Sequence, residues 1–133
     1  MNLNFSISEL TKSDIAKNAG INNTPAIAEI DNLLNLIFYC LQPIRDKLKK
    51  PMIITSGYRN QKVNFLAGGK INSQHLTGCA ADFKVPNMSI TQVVNFIYHS
   101  GVEYDQLFNE YDKWVHISFV KGKNRKQPPS KIS

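Results

Sequence analysis

An α+β fold, with helices packed on one small antiparallel sheet in a single domain spanning 1–133, is what the sequence predicts. Three observations carry it. Apolar residues recur at three- and four-residue intervals over a long stretch after Ala26, short β-prone runs are bounded by Gly, Pro, Asn and Ser, and no internal repeat or second domain is evident.

Taken in order, Phe5-Ser6-Ile7-Ser8-Glu9-Leu10 offers Ser6 as an N-cap with Glu9 three residues on, the reciprocal arrangement that satisfies orphan amides, so a short helix is expected over about 7–17. Asn22-Asn23-Thr24-Pro25 reads as a turn, with Thr24 capping and Pro25 in the first helical position, where its missing donor costs nothing. From Ala26 to Leu48, Ile27, Ile30, Leu33, Leu34, Ile37, Phe38, Leu41, Ile44 and Leu48 form the stripe of an amphipathic helix. Pro43 inside it implies a kink or restart near Gln42.

Met52-Ile53-Ile54-Thr55 reads as a strand ending at Ser56-Gly57 and delivering Tyr58 and Arg59 to a loop. A flexible connector over 68–73 leads to a second strand from Ala80 to Val85, closed by Pro86-Asn87. Ser89 caps a helix over about 90–99 that ends at Ser100-Gly101. Tyr104 to Glu110 and Trp114 to Val120, separated by Tyr111-Asp112-Lys113, have the spacing of a β-hairpin. The last residues, about 121–133, form a polar basic tail.

A chain of 133 residues buries roughly two-thirds of its unfolded surface, enough to fold without staples. Hydrophobic residues at 42% and charged residues at 20% exclude a disordered chain, and no apolar run approaches the ~20 residues of a membrane span. Membrane insertion is therefore not expected. The opening MNLNFSISELTKSD lacks a basic start, an apolar run and a cleavage site, so synthesis in the cytoplasm without a signal peptide is the expectation. Two cysteines, Cys40 and Cys79, are too few for a disulfide framework and read as buried thiols. The formal charge of +6 permits attraction to polyanions. Much of it lies in Lys47, Lys49, Lys50 and the tail, which read as solvated faces or frayed ends. No nucleic-acid partner is expected, since the charge comes with no reader motif.

Polar residues stand in two of the apolar strands. Asp82 lies between Ala81 and Phe83, and His116 between Val115 and Ile117. Strand alternation lets each point to a shared cleft while its neighbours enter the core, and a bare Asp or His facing a core is costly unless paired or metal-bound. Either is a satisfied hydrogen-bonding side chain or, with His75, part of a three-ligand set such as hydrolytic zinc sites use.

The stretches Phe5-Ser-Ile-Ser-Glu-Leu, Asn23-Thr-Pro25, Leu41-Gln-Pro-Ile-Arg45, Thr55-Ser-Gly-Tyr-Arg-Asn60, Ser73-Gln-His-Leu-Thr-Gly-Cys-Ala-Ala-Asp82, Asp105-Gln-Leu107 and Trp114-Val-His-Ile-Ser118 resemble, in order and spacing, the D-alanyl-D-alanine carboxypeptidase group of zinc peptidases (peptidase M15), above all its small phage-associated subfamily. The resemblance implies the hedgehog/DD-peptidase-like form of the fold, one zinc ion held by His75, Asp82 and His116, and a substrate-facing Arg59, whose guanidinium suits a carboxylate or a developing oxyanion. Ser73 and Gln74 flank the first ligand and are candidates for binding the peptide or orienting His75, with loop stabilisation as the other reading of Ser73.

Peptide cleavage also needs a base. Many members of the wider family carry an acidic residue three positions before the last histidine, where this chain has Lys113. The small subfamily places a glutamate at Glu110, which is our candidate, with Asp112 as the alternative. A three-residue hairpin loop sets Glu110 opposite Trp114 and on the face of His116; a two-residue loop turns it away. His99 reads as a helix-end group, and Trp114 and Tyr58 as core or rim packing, with lining of the cleft as the other reading.

The reading that follows is a metallopeptidase hydrolysing a peptide bond of bacterial cell-wall peptides, one that involves a D-amino acid, through metal-activated water. Its site of action would be the wall, after release in phage or prophage lysis. The alternative is a non-catalytic zinc-bearing structural or peptide-binding module that has lost its base.

Overall fold

The computed structural model describes residues 3–133. Two short helices open it, α1 (Ile7–Thr11) and α2 (Asp14–Ala19), in place of the one helix expected over about 7–17. The break has a local cause. Ser13 turns extended and its side chain caps Ala16 N–H, starting a new helix, while Lys12 closes the first with its N–H on Ser8 O. Ser6 Oγ accepts the Glu9 N–H, as expected of the first cap.

The spine follows as α3 (Ile27–Leu36), a π turn (Ile37–Leu41) and α4 (Gln42–Leu48). Thr24 and Pro25 do not start it; Ala26 is the N-cap, with no side-chain bond, and Thr24 instead bonds Asn22 Oδ1. Pro43 falls in the first turn of α4, and the α-helix resumes at Gln42 after the π turn, the restart expected there. The chain absorbs the missing donor one residue early by widening, so that Gln42 N–H reaches back five residues to Ile37 O. Leu33, Leu36, Ile37, Cys40, Leu41, Ile44 and Leu48 form the buried face. Leu34 and Phe38, counted in the apolar stripe, follow buried positions by one residue, a turn of about 100°, and lie exposed on the flank; Ile27 in the first turn is exposed as well.

Five strands form one sheet in the order β1-β2-β4-β3-β5: β1 (Ile53–Ser56), β2 (Ala80–Lys84), β3 (Leu107–Glu110), β4 (Trp114–Ser118) and β5 (Ser130–Ile132). The first three pairings are antiparallel as expected, but β5 runs parallel to β3, so the sheet is mixed. Two further helices complete the chain, α5 (Gln61–Leu66) after β1 and α6 (Ile90–His99) after β2, the latter opened by a full capping box between Ser89 and Gln92. His99 ends α6 with Nδ1 donating to Asn95 O at 2.8 Å, a helix-end role.

Ala81, Phe83, Leu107, Val115 and Ile117 send one face of the sheet into the core with the spine and with Val93, Val94 and Ile97 of α6. Cys40 and Cys79 are both free and buried, and burial pushes their thiols up. Among the described residues no helix is long and apolar enough to cross a membrane.

The tail is not frayed. It returns along the sheet as β5 and is pinned by Arg125, which donates from N and Nε to Asp105 Oδ1 (2.9 Å each) and from Nη2 to Oδ2 (2.8 Å). Those bonds, led by the Arg125 guanidinium, hold the buried Asp105 carboxyl at about 2, down from 3.8. Because the folded value is depressed, the stabilisation is fully present above the unfolded value and is lost as pH falls from about 4 to about 2. The half-exposed Arg125 is screened by solvent, so only part of this stabilisation survives. Asp105→Asn is expected to be less stable at pH 7 and to melt with a flatter pH dependence over this window; identical profiles for variant and parent would refute the account.

Candidate metal centre

Pairing of β2 with β4 sets Asp82 directly opposite His116. Their neighbours in sequence enter the core, so alternation leaves both on the other face of the sheet. His116 Nδ1 lies 2.8 Å from Asp82 Oδ1. His75 reaches the same oxygen from outside the sheet, with Nε2 at 3.3 Å. All three side chains are buried, and one donor atom from each lies within 4.8 Å of the others.

His75 is presented by a 3-10 turn (Gln74–Thr77). Ser73 Oγ accepts the His75 N–H at 3.2 Å and so caps the turn, and Asn32 of α3 holds Thr77 O at 2.8 Å. The turn closes at Gly78, whose left-handed φ of +78° and position against Glu29 O, 2.6 Å from where a Cβ would sit, both require glycine. The spine helix is thus the floor on which His75 is set.

A bulge at Thr55 brings the other side of the site into place. Ile54 pairs with Phe83 and Ser56 with Asp82, so one residue of β1 is extra, and the chain leaving the strand is re-aimed over the cluster. Gly57 O accepts from His75 Nδ1 at 2.7 Å. Arg59 Nε donates to Ser56 Oγ at 3.0 Å, and its Nη2 lies 3.4 Å from Asp82 Oδ2. Asn23 ties this loop down, donating to Thr11 O and Tyr58 O and accepting Asn60 N–H.

These contacts decide what the cluster can hold. A carbonyl only accepts, so the proton of a neutral His75 sits on Nδ1 and the Nε2 lone pair faces the Asp82 oxygen. Two lone pairs at 3.3 Å repel unless positive charge lies between them. Burial by itself pushes the Asp82 carboxyl up, while the hydrogen bond of His116 and positive charge presented by His75 and His116 hold it well below the usual carboxylate range. A divalent cation meets that demand without charging buried imidazoles. Two imidazole nitrogens and one carboxylate oxygen within this span could hold a metal ion, and three such donors leave room for a further ligand.

Two carboxylates are candidates for the base, and their placements differ. The hairpin loop holds three residues, Glu110 pairs with Trp114, and Glu110 Oε1 lies 3.7 Å from His116 Nδ1. Asp112 is spent on the turn, accepting from Asn109 Nδ2 and pairing with Lys131 Nζ, both at 2.8 Å. Lys113 is exposed. Gln74 donates to Asp105 Oδ2 at 2.9 Å, while its Oε1 is buried without a partner.

Gly57, Asn23 and the indole of Trp114, which donates from Nε1 to Glu110 Oε2 at 2.9 Å, are parts of the site that the sequence reading did not assign. Only the stretches Asn23-Thr-Pro25 and Ser-Gly-Tyr-Arg hinted at the first two. A Cβ on Gly57 would collide with the Leu10 backbone carbonyl, which also accepts Tyr58 N–H at 2.7 Å. Gly57→Ala is therefore expected to push its carbonyl off His75. Outer partners of this kind are worth about 10–100-fold in metal affinity, readable by chelator competition; an unchanged affinity would show that the carbonyl does not matter.

In comparison with known proteins, residues 3–118 match the family described as Peptidase M15. No curated protein matches the chain.

Proposed function

The chain belongs to the peptidase M15 family, and from that premise we propose that it is a zinc-dependent hydrolase of peptide bonds in bacterial cell-wall peptides, acting at a bond that involves a D-amino acid. The observation that carries the hydrolytic part is the convergence of His75, Asp82 and His116, with Glu110 3.7 Å from His116 and free of the turn. The wall and the D-residue rest on the resemblance of the motifs. The basic balance of the chain agrees with a polyanionic target.

His75 Nε2, Asp82 Oδ1 and His116 Nδ1 would hold the ion. Zinc, when bound, supplies Lewis acidity to water and to the scissile carbonyl. Glu110 takes the proton of the attacking water on Oε1 and hands it to the leaving amine, so one carboxylate serves both transfers. Arg59 steadies Asp82 through Nη2, and its remaining N–H groups can grip a substrate carboxylate or the developing oxyanion. Ser73 serves by capping the turn that presents His75, and Gln74 by tying that turn to Asp105.

The test is direct. Purified zinc-loaded protein is incubated with a wall suspension and with short peptides that end in D- or L-residues, and free amino groups are counted. Release that stops with chelator and returns with zinc supports the proposal, and preference between the peptides locates the bond. Stoichiometric zinc with no peptide cut under any condition would instead establish the non-catalytic module.

A further inference from the structure

The geometry points to Trp114 as a positioning residue for Glu110, an inference that rests on Glu110 being the base proposed above. Trp114 Nε1 donates to Glu110 Oε2 at 2.9 Å, while the other oxygen, Oε1, is the one that lies 3.7 Å from His116 Nδ1. Indole is a donor only, with a single N–H. It therefore occupies one carboxylate oxygen and leaves the other to the cluster.

The arrangement is built by the hairpin. Glu110 and Trp114 are the last pair before the turn, on the same face as Phe108 and His116. Tyr111 and Asp112, with φ of 60° and 56°, make the tight reversal, and Lys113 N–H closes it on Glu110 O at 3.0 Å. Tyr111 stands edge-on to the indole at 5.7 Å and braces its outer side. Glu110 is partly open to solvent, so without the indole its side chain has room to swing away from His116. A glutamate that must accept and return a proton at one atom gains from having its second oxygen fixed.

Trp114 is the chain's single tryptophan, so its indole N–H gives one isolated resonance. With zinc-loaded full-length protein, Glu110→Gln is expected to shift that resonance and speed its exchange with solvent. Trp114→Phe keeps an aromatic ring and removes the N–H; it is expected to lower kcat by about 10- to 100-fold with KM and zinc stoichiometry unchanged. In the Glu110→Gln background the same substitution is expected to change residual turnover no further. A resonance that does not move in Glu110→Gln, an unchanged kcat, or a full loss that persists without Glu110 each overturns the positioning role. A wild type that cuts nothing while the resonance does shift sinks the peptidase reading and leaves the hydrogen bond standing.

Discussion

His116→Ala is expected to be isolated without stoichiometric zinc and to lose the rise in melting temperature that zinc gives the wild type. The proposed ligand set has three members, all buried, and Asp82 Oδ1 lies within 3.3 Å of both imidazoles. Removing one imidazole does two things at once. It deletes a ligand, which should cost more affinity than the about 10–100-fold typical of outer partners, and it leaves a buried carboxylate with half its compensation. Zinc that binds the folded protein alone stabilises it by RT ln(1 + [L]/Kd), about 2.7 kcal/mol at a hundredfold excess over Kd. Chelator should therefore drag the wild type down and leave the variant where it is. Retention of one tightly held zinc by His116→Ala, by direct metal analysis, would falsify the proposed site.

Asp82 and His116 were legible as facing one cleft because strands have a period of two, whereas His75, in a 3-10 turn, was joined to them only by the resemblance of the motifs. Asp82 and His116 interrupt apolar strands, and the register that sets them opposite each other follows from burying Ala81, Phe83, Val115 and Ile117 on one face. Local caps such as Ser6 and Ser89 were legible for a related reason, since their partners lie three residues away. What escaped the sequence depends on distant partners. β5 exists because Asp105, twenty residues back, receives Arg125, and a polar tail shows no local pattern for that. The bulge at Thr55 and the π turn before Pro43 are one-residue adjustments of geometry that composition does not announce. Trp114 reads as core or rim packing from sequence because its role hangs on the loop length, which the residues alone leave between two and three.

Glu110→Gln is expected to keep zinc and the fold while losing turnover by about 10²–10⁴-fold, the usual worth of a general base. The amide preserves size and can still fill the place beside His116, but it cannot take a proton at neutral pH. Its effect should therefore fall on kcat rather than on metal content, the reverse of His116→Ala, which acts through the metal. Asp112→Asn supplies the contrast. Asp112 is exposed and bound to Asn109 and Lys131, and the Lys131 ammonium, then Asn109, holds its carboxyl below the ordinary range. Its carboxylate is committed to the turn, so Asp112→Asn should turn over peptide nearly as the wild type does. Full activity in Glu110→Gln together with loss in Asp112→Asn would transfer the base to the turn, and with it the requirement that the hairpin open during catalysis.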